Sequence, residues 1–432
     1  MLFPGRRSVL SVTPSNTPSW RRRLLPLLLI VATLPLSVCE NLPAPYQPGA
    51  NLPLSELVAP TAVARDSFTV AAPLRQPDSL RPCCAFGHGL RVRALGIPVP
   101  FVRLDNVIDP TLLGHHGYDG GTSGFLGDLM GSDSEKLGII YTRRGGFVDI
   151  AHVRDSADNA LFLFSRIWPH LGQRWTLDLG PELADRRIAF EAFALPASAA
   201  DRYTLAAFLA AHLSFQLAAW HEIAQWYGYH TVPFFSEEIS AFSPEDLYSN
   251  VLGARLGLII ELQGEASSEP QFSASLTRML PQALDALESV SPAQTRDIFD
   301  RLDGCWWDSG ARVPDKFAVL YRNYDTGGER RPLQPDFETL PPQNLEVPST
   351  WDGTPLARYA ELRLYPSTAA EALHAPPPRG YWTADDFAAL AGFAAKTDAR
   401  LLLARGVASA DPTRAYVPPS TELCRSGRRD AQ

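Results

Sequence analysis

Long apolar runs are missing from this chain. No uninterrupted stretch reaches the ~18 residues that a repeatedly spanning membrane protein needs, which excludes a polytopic membrane fold. Positive charge is also scarce. The chain carries a formal −8, and all five cations of its first 39 residues are arginines (Arg6, Arg7, Arg21, Arg22, Arg23) with no acid among them. That leaves 34 of the 39 basic residues to face 47 acidic ones, a balance of −13. A body so acidic is a poor match for a phosphate backbone, and no nucleic-acid partner is expected. Cysteine is sparse, with five in 432 residues, and no internal repeat is found. Core material, by contrast, is plentiful. Hydrophobic residues make up 45%, aromatics 10% and charged residues 20%, which is not the composition of a disordered chain. At roughly 100–200 residues per domain the length allows two or three domains.

The first 39 residues read as a secretory signal. Arg21-Arg22-Arg23 precede the short apolar, proline-broken stretch Leu24 to Leu36, and Ser37-Val38-Cys39 follow. Leu36-Ser37-Val38-Cys39 is similar to a lipobox, with a bulky Val38 where a small residue is usual, and cleavage after Cys39 is the other option. Lipidation of Cys39 would tether the protein to the outer membrane, so the expected location is the periplasm or cell envelope. Arg6-Arg7 resembles a twin-arginine signal but lies far ahead of the apolar stretch. In an oxidising compartment Cys83, Cys84, Cys305 and Cys424 read as structural disulfides whose pairing the sequence leaves open, the adjacent pair bonding to distant partners.

The organisation expected beyond the signal is a Pro/Ala-rich linker over 40–80, a main helical domain over 81–314, a smaller α+β region over 315–410 and a tail over 411–432. Two strands, Leu137–Thr142 and Phe147–Ile150, flank a tight turn, after a long Gly/Asp/His-rich loop between Asp105 and Ser134. Helices are expected over 152–168 and 202–227, from Ser243 as an N-cap to Leu262, from Ser291-Pro292 to Leu302, and over 383–397; Tyr359–Tyr365 alternates like a strand. The 202–227 helix is apolar nearly all round and should be central. The fold class is α+β: a mostly helical core around that helix, a small antiparallel sheet and a smaller C-terminal region.

Three groups could carry chemistry. Trp220-His221-Glu222-Ile223-Ala224-Gln225-Trp226 resembles the zinc-protease pattern HExxH, with Gln225 where the second histidine belongs. His212, two and a half turns earlier, falls on the opposite side of the helix. His152 and Asp155 share a helical face at i, i+3, and Glu237-Glu238 follow the central helix. Ionisable groups in so apolar a setting cost several kcal/mol unless paired or metal-bound. His152, His221 and Glu238 are therefore expected to hold a divalent metal, zinc or a harder ion, with Asp155 completing or orienting the site and Glu222 as general base.

Arg81-Pro-Cys-Cys-Ala-Phe-Gly87, Arg144 to Asp155, Trp220 to Gly228, Glu237 to Asn250 and Cys305-Trp-Trp-Asp-Ser309 together resemble a bacterial domain-of-unknown-function family, number 4056, over roughly 80–320. The resemblance implies an exported or lipid-anchored envelope protein and implies no activity. The residues themselves leave three functions open. One is a metal-dependent hydrolase of the envelope. Another is a cysteine hydrolase or acyltransferase, with Cys83 or Cys84 as nucleophile and His152 as base. The last is a non-catalytic binding protein that presents the aromatic stretch Trp220 to Phe242.

Overall fold

The computed structural model describes residues 52–60, 68–78, 80–81, 85–94, 97–120, 135–230, 237–373, 376–407 and 409–424. The signal segment with Cys39, the cysteines Cys83 and Cys84, and the 121–134 part of the glycine-rich loop lie outside them. The labelled elements run in the order α1 (Leu54–Val58), β1 (Leu90–Ala94), β2 (Ile97–Leu104), β3 (Ile139–Thr142), β4 (Gly146–Asp149), α2 (Ile150–Ile167), β5 (Trp175–Glu182), β6 (Ala184–Phe190), α3 (Ala199–Trp226), α4 (Asp246–Leu262), α5 (Glu269–Ala286), α6 (Pro292–Leu302), β7 (Arg312–Val313), β8 (Ala360–Tyr365) and α7 (Ala384–Ala404). The fold is α+β, as its composition and patterning indicate. No described helix is long and apolar enough to cross a membrane.

α3 is the central element, packed against α2, α4 and α7. Its apolar residues face outward all round, so a helix on each side removes them from water, at about 25 cal/mol for each Å² buried. Ser198 caps it, its Oγ accepting from the Asp201 N–H at 3.2 Å. The β3–β4 hairpin feeds directly into α2, which Asp149 caps by accepting from the Ala151 N–H at 2.7 Å. Two strands that the sequence did not announce, β5 and β6, form an antiparallel hairpin; β8 pairs with β6 to give the order β8-β6-β5. The C-terminal region thus supplies one strand of this sheet, and Leu362 and Leu364 join the same core as α3. α7 continues to Ala404, beyond the expected Thr397, because Ala394, Ala399 and Leu402 keep its inner face buried.

α2 and α4 cross very closely. A methyl group at Gly253 would collide with the Val153 carbonyl, and one at Gly257 would come within 2.8 Å of Ala160 Cβ. Hydrogen bonds tie the same crossing: the Asp149 N–H donates to Ser249 Oγ at 2.9 Å, and Ser156 Oγ donates to Asn250 Oδ1 at 2.7 Å. The start of α4 departs from expectation. Ser243 is not its cap. Phe242 takes a left-handed φ of 58°, and Asp246 reaches back to accept from the Ser243 N–H at 2.7 Å, so the helix opens at Asp246.

Residues 409–424 pack onto the body rather than trailing from it. Cys424 is bonded to Cys305 across 119 residues, and Tyr416 Oη donates to the Cys305 carbonyl at 3.3 Å. Closing so long a loop restricts the unfolded chain strongly. Cys424→Ser is expected to lower stability by about 2–5 kcal/mol in urea denaturation, and dithiothreitol should reproduce the loss in the wild type only.

Candidate functional site

The junction of α2, α3 and α4 gathers buried ionisable side chains. His152 comes from the first turn of α2, Glu222 from the last turn and a half of α3, and Asp246 opens α4. Their ligand atoms lie within 4.8 Å of one another and all three are buried. His152 Nε2 is 3.2 Å from Asp246 Oδ1. Main-chain N–H groups hold both carboxylates: Glu222 Oε2 accepts from the Phe242 N–H at 2.6 Å, and Asp246 Oδ2 from the Ser243 N–H. The left-handed Phe242 therefore serves the site, since its turn aims that N–H at Glu222. Beside them Glu245 is buried, and neither of its carboxyl oxygens has a hydrogen-bond partner among the described residues. Burial, reinforced by Asp246 and Asp149, holds its carboxyl well above the ordinary range. One imidazole and two carboxylates in reach of a single point form a donor set that can hold a divalent cation, and the acid-rich surroundings favour such a charge.

A cavity of about 470 Å³, well within the range of small-molecule sites, opens beside this group. His152 belongs to both, whereas Glu222 and Asp246 are not among the residues that line the cavity. Asp155, His221, Glu182, Arg186 and Asn250 also line the cavity. His221 is bonded through Nδ1 to Glu182 Oε1, and Glu182 Oε2 accepts from Arg186 Nη1 at 2.6 Å. Burial would raise the Glu182 carboxyl, but Arg186 and His221 outweigh it and hold it below the usual range. The carboxylate fixes the orientation of the ring, as in histidine–carboxylate pairs generally.

The expected residues thus fall in three places. His152, Asp155 and His221 share the cavity, and Glu222 lies with His152 in the three-ligand group. His221 is engaged by Glu182 instead of sharing that group. Glu238 is elsewhere, 4.0 Å from Lys316 Nζ with 38% of its side chain exposed. Gln225 donates to Glu237 Oε2 at 3.2 Å. His212 pairs with Gln216 at 2.9 Å on the far side of α3, and burial lowers its pKa to about 4. Asp246 and Asn250 fell inside the helix expected from Ser243 to Leu262, and their i, i+4 spacing was the available signal. Glu182 carried none, because β5 was not legible.

Asp155 joins the cavity to a second buried network. Arg81, with a fully buried side chain, donates to Asp155 Oδ1 at 2.7 Å, Asp158 Oδ2 at 2.9 Å and Glu135 Oε2 at 2.6 Å. His116 lies between Asp158 (2.8 Å) and Glu135 (3.1 Å). Burial pushes the Asp155 carboxyl up to about 6 despite Arg81, which pulls it down. Because the folded value exceeds the unfolded one, this group favours folding most at low pH, and its contribution is lost as pH rises from about 4 through 6. Carboxyl ¹³C titration should place its midpoint near pH 6; a midpoint near 4 would contradict that environment.

No curated protein and no solved structure matches the chain. A family model described as "Protein of unknown function (DUF4056)" matches residues 71–335, the span that holds the cavity-lining residues and the three-ligand group. The chain belongs to that family.

Proposed function

We propose that the cavity is the active site of a metal-dependent hydrolase, with His152, Glu222 and Asp246 as metal ligands. The observation that carries the reading is the double membership of His152, in the buried ligand group and in the wall of an open cavity. A bound ion would supply Lewis acidity and a water of lowered pKa. His221, oriented by Glu182, takes the role of proton acceptor, and Asp155, held by Arg81, shapes the adjoining wall. Export to the cell envelope, through the Arg21–Cys39 leader and with lipidation of Cys39 as one mode of processing, belongs to the same proposal.

The test is metal analysis of the purified protein together with a hydrolysis screen of wild type and Glu222→Gln. Near-stoichiometric zinc or manganese, and activity lost in the variant at unchanged secondary structure, are the expected results. A wild type that binds no divalent ion at micromolar concentration would end the reading.

A further inference from the structure

One wall of the cavity is built differently from the rest. Apart from Tyr229, the lining from α2, α3, α4, β5 and β6 sits on helices and strands. Arg75, Gln76, Pro77, Asp78, Leu80 and Arg81 instead belong to an extended segment with no helix or strand. Pro73 and Pro77 explain its form: neither has the N–H that a helix or a sheet ladder uses, and both stiffen the chain. The segment is fastened at its two ends. Ala71 is buried and its N–H donates to the Ala266 carbonyl at 3.1 Å, while Arg81 is locked among its three carboxylates. Between these anchors none of the described residues 72–80 is buried.

A clasp holds the middle of the segment down. Asp119 has a left-handed φ of 55°, and its N–H donates to Asp158 Oδ2 at 3.1 Å, so its carboxylate is offered from a fixed point. Oδ1 accepts from the Asp78 N–H at 3.1 Å and Oδ2 from Arg75 Nη2 at 2.8 Å. Tyr118 Oη donates to the Arg75 carbonyl at 2.5 Å, the Leu74 N–H to Ser165 Oγ at 3.0 Å, and Gln76 Nε2 to the Leu179 carbonyl at 3.2 Å. Each of these bonds runs through a side chain, and that of Arg75 is 73% exposed. Exposed ion pairs and side-chain bonds with little apolar burial behind them open locally at small cost. Releasing Arg81 would instead break a buried network. Firm ends and a weakly held middle let the segment bow outward while it stays attached, as cavity-covering loops do.

We infer that residues 72–80 are a gate, hinged at Ala71 and Arg81 and latched by Asp119, whose outward movement widens the way into the cavity. The test needs neither ion nor substrate. The purified full chain is treated with diethyl pyrocarbonate, and peptide mass spectrometry times the modification of His221 against that of His170. His221 lines the cavity with 13% of its side chain exposed, whereas His170 is exposed and is not a lining residue. The His221 rate relative to His170 should rise about fivefold in Arg75→Met, the factor that corresponds to about 1 kcal/mol. It should rise further in Asp119→Gly, which removes both carboxylate bonds and suits the left-handed φ. At so exposed a position Arg75→Met leaves the fold intact, so its result decides the matter even if Asp119→Gly unfolds. A ratio unchanged in Arg75→Met, or a wild type in which His221 already reacts as fast as His170, overturns the inference. Labelling reports entry alone, so failure of the hydrolase reading would leave the gate standing.

Discussion

Replacing His152 by alanine is expected to cut zinc affinity by 100-fold or more, while His221→Ala leaves it within a few-fold of wild type. The contrast follows from placement: His152 lies in the group with Glu222 and Asp246, and His221 is engaged by Glu182. Losing even an outer-shell partner of a metal ligand costs ~10–100-fold, and His152 is the only nitrogen of its group. Titration calorimetry reads the affinities directly. Thermal unfolding provides a second measure, because an ion at 100 times its dissociation constant stabilises the native state by about 2.7 kcal/mol. That gain should vanish in His152→Ala. Equal losses in the two variants would point to His221 as a ligand, as the local sequence suggested.

Arg81→Met should be the most destabilising single change in the described body, lowering the unfolding free energy by about 3–5 kcal/mol. Methionine fills much of the space but removes the fully buried guanidinium that pairs with Glu135, Asp155 and Asp158, leaving His116 to face Asp158 and, with Arg154, Glu135. The guanidinium also donates to the Gly117 carbonyl at 2.8 Å, so amide exchange over residues 113–120 should quicken together with the loss of stability. Arg75 is the internal control. It also pairs with two acids, but its side chain is 73% exposed, and Arg75→Met should cost no more than about 1 kcal/mol. A midpoint for Arg81→Met close to that of the control would show that the buried network contributes little.

What could be read from the sequence divides along the range of the interactions. α2, α3 and α6 are written in local periodicity and caps, and the dense apolar surface of α3 announced its central place. β5 and β6 were not legible: their pairing is with each other and with β8, some 170 residues later, and Trp175–Glu182 breaks alternation at a bulge near Gly180. The same limit governed the site. His152, Asp155, His221 and Glu222 drew attention because charge in an apolar helix is conspicuous. Glu238 was taken with them by proximity along the chain, yet the turn at Phe242 carries Asp246 inward and leaves Glu238 by Lys316. The disulfide was open for a related reason, since nothing local distinguishes Cys305–Cys424 from the other pairings.

The absence of side chains at Gly253 and Gly257 has a reach beyond packing. Those two positions set how near the axis of α4 can come to that of α2, and one rod bears His152 while the other bears Asp246 and Asn250. Thickening either contact would push the rods apart like a shim. Such spacing matters because ions differ in preferred bond length by a few tenths of an ångström, magnesium at about 2.0–2.1 Å and calcium at 2.3–2.6 Å. On the proposed metal reading, a change at either glycine, which touches no ligand atom, would shift the preference among such ions.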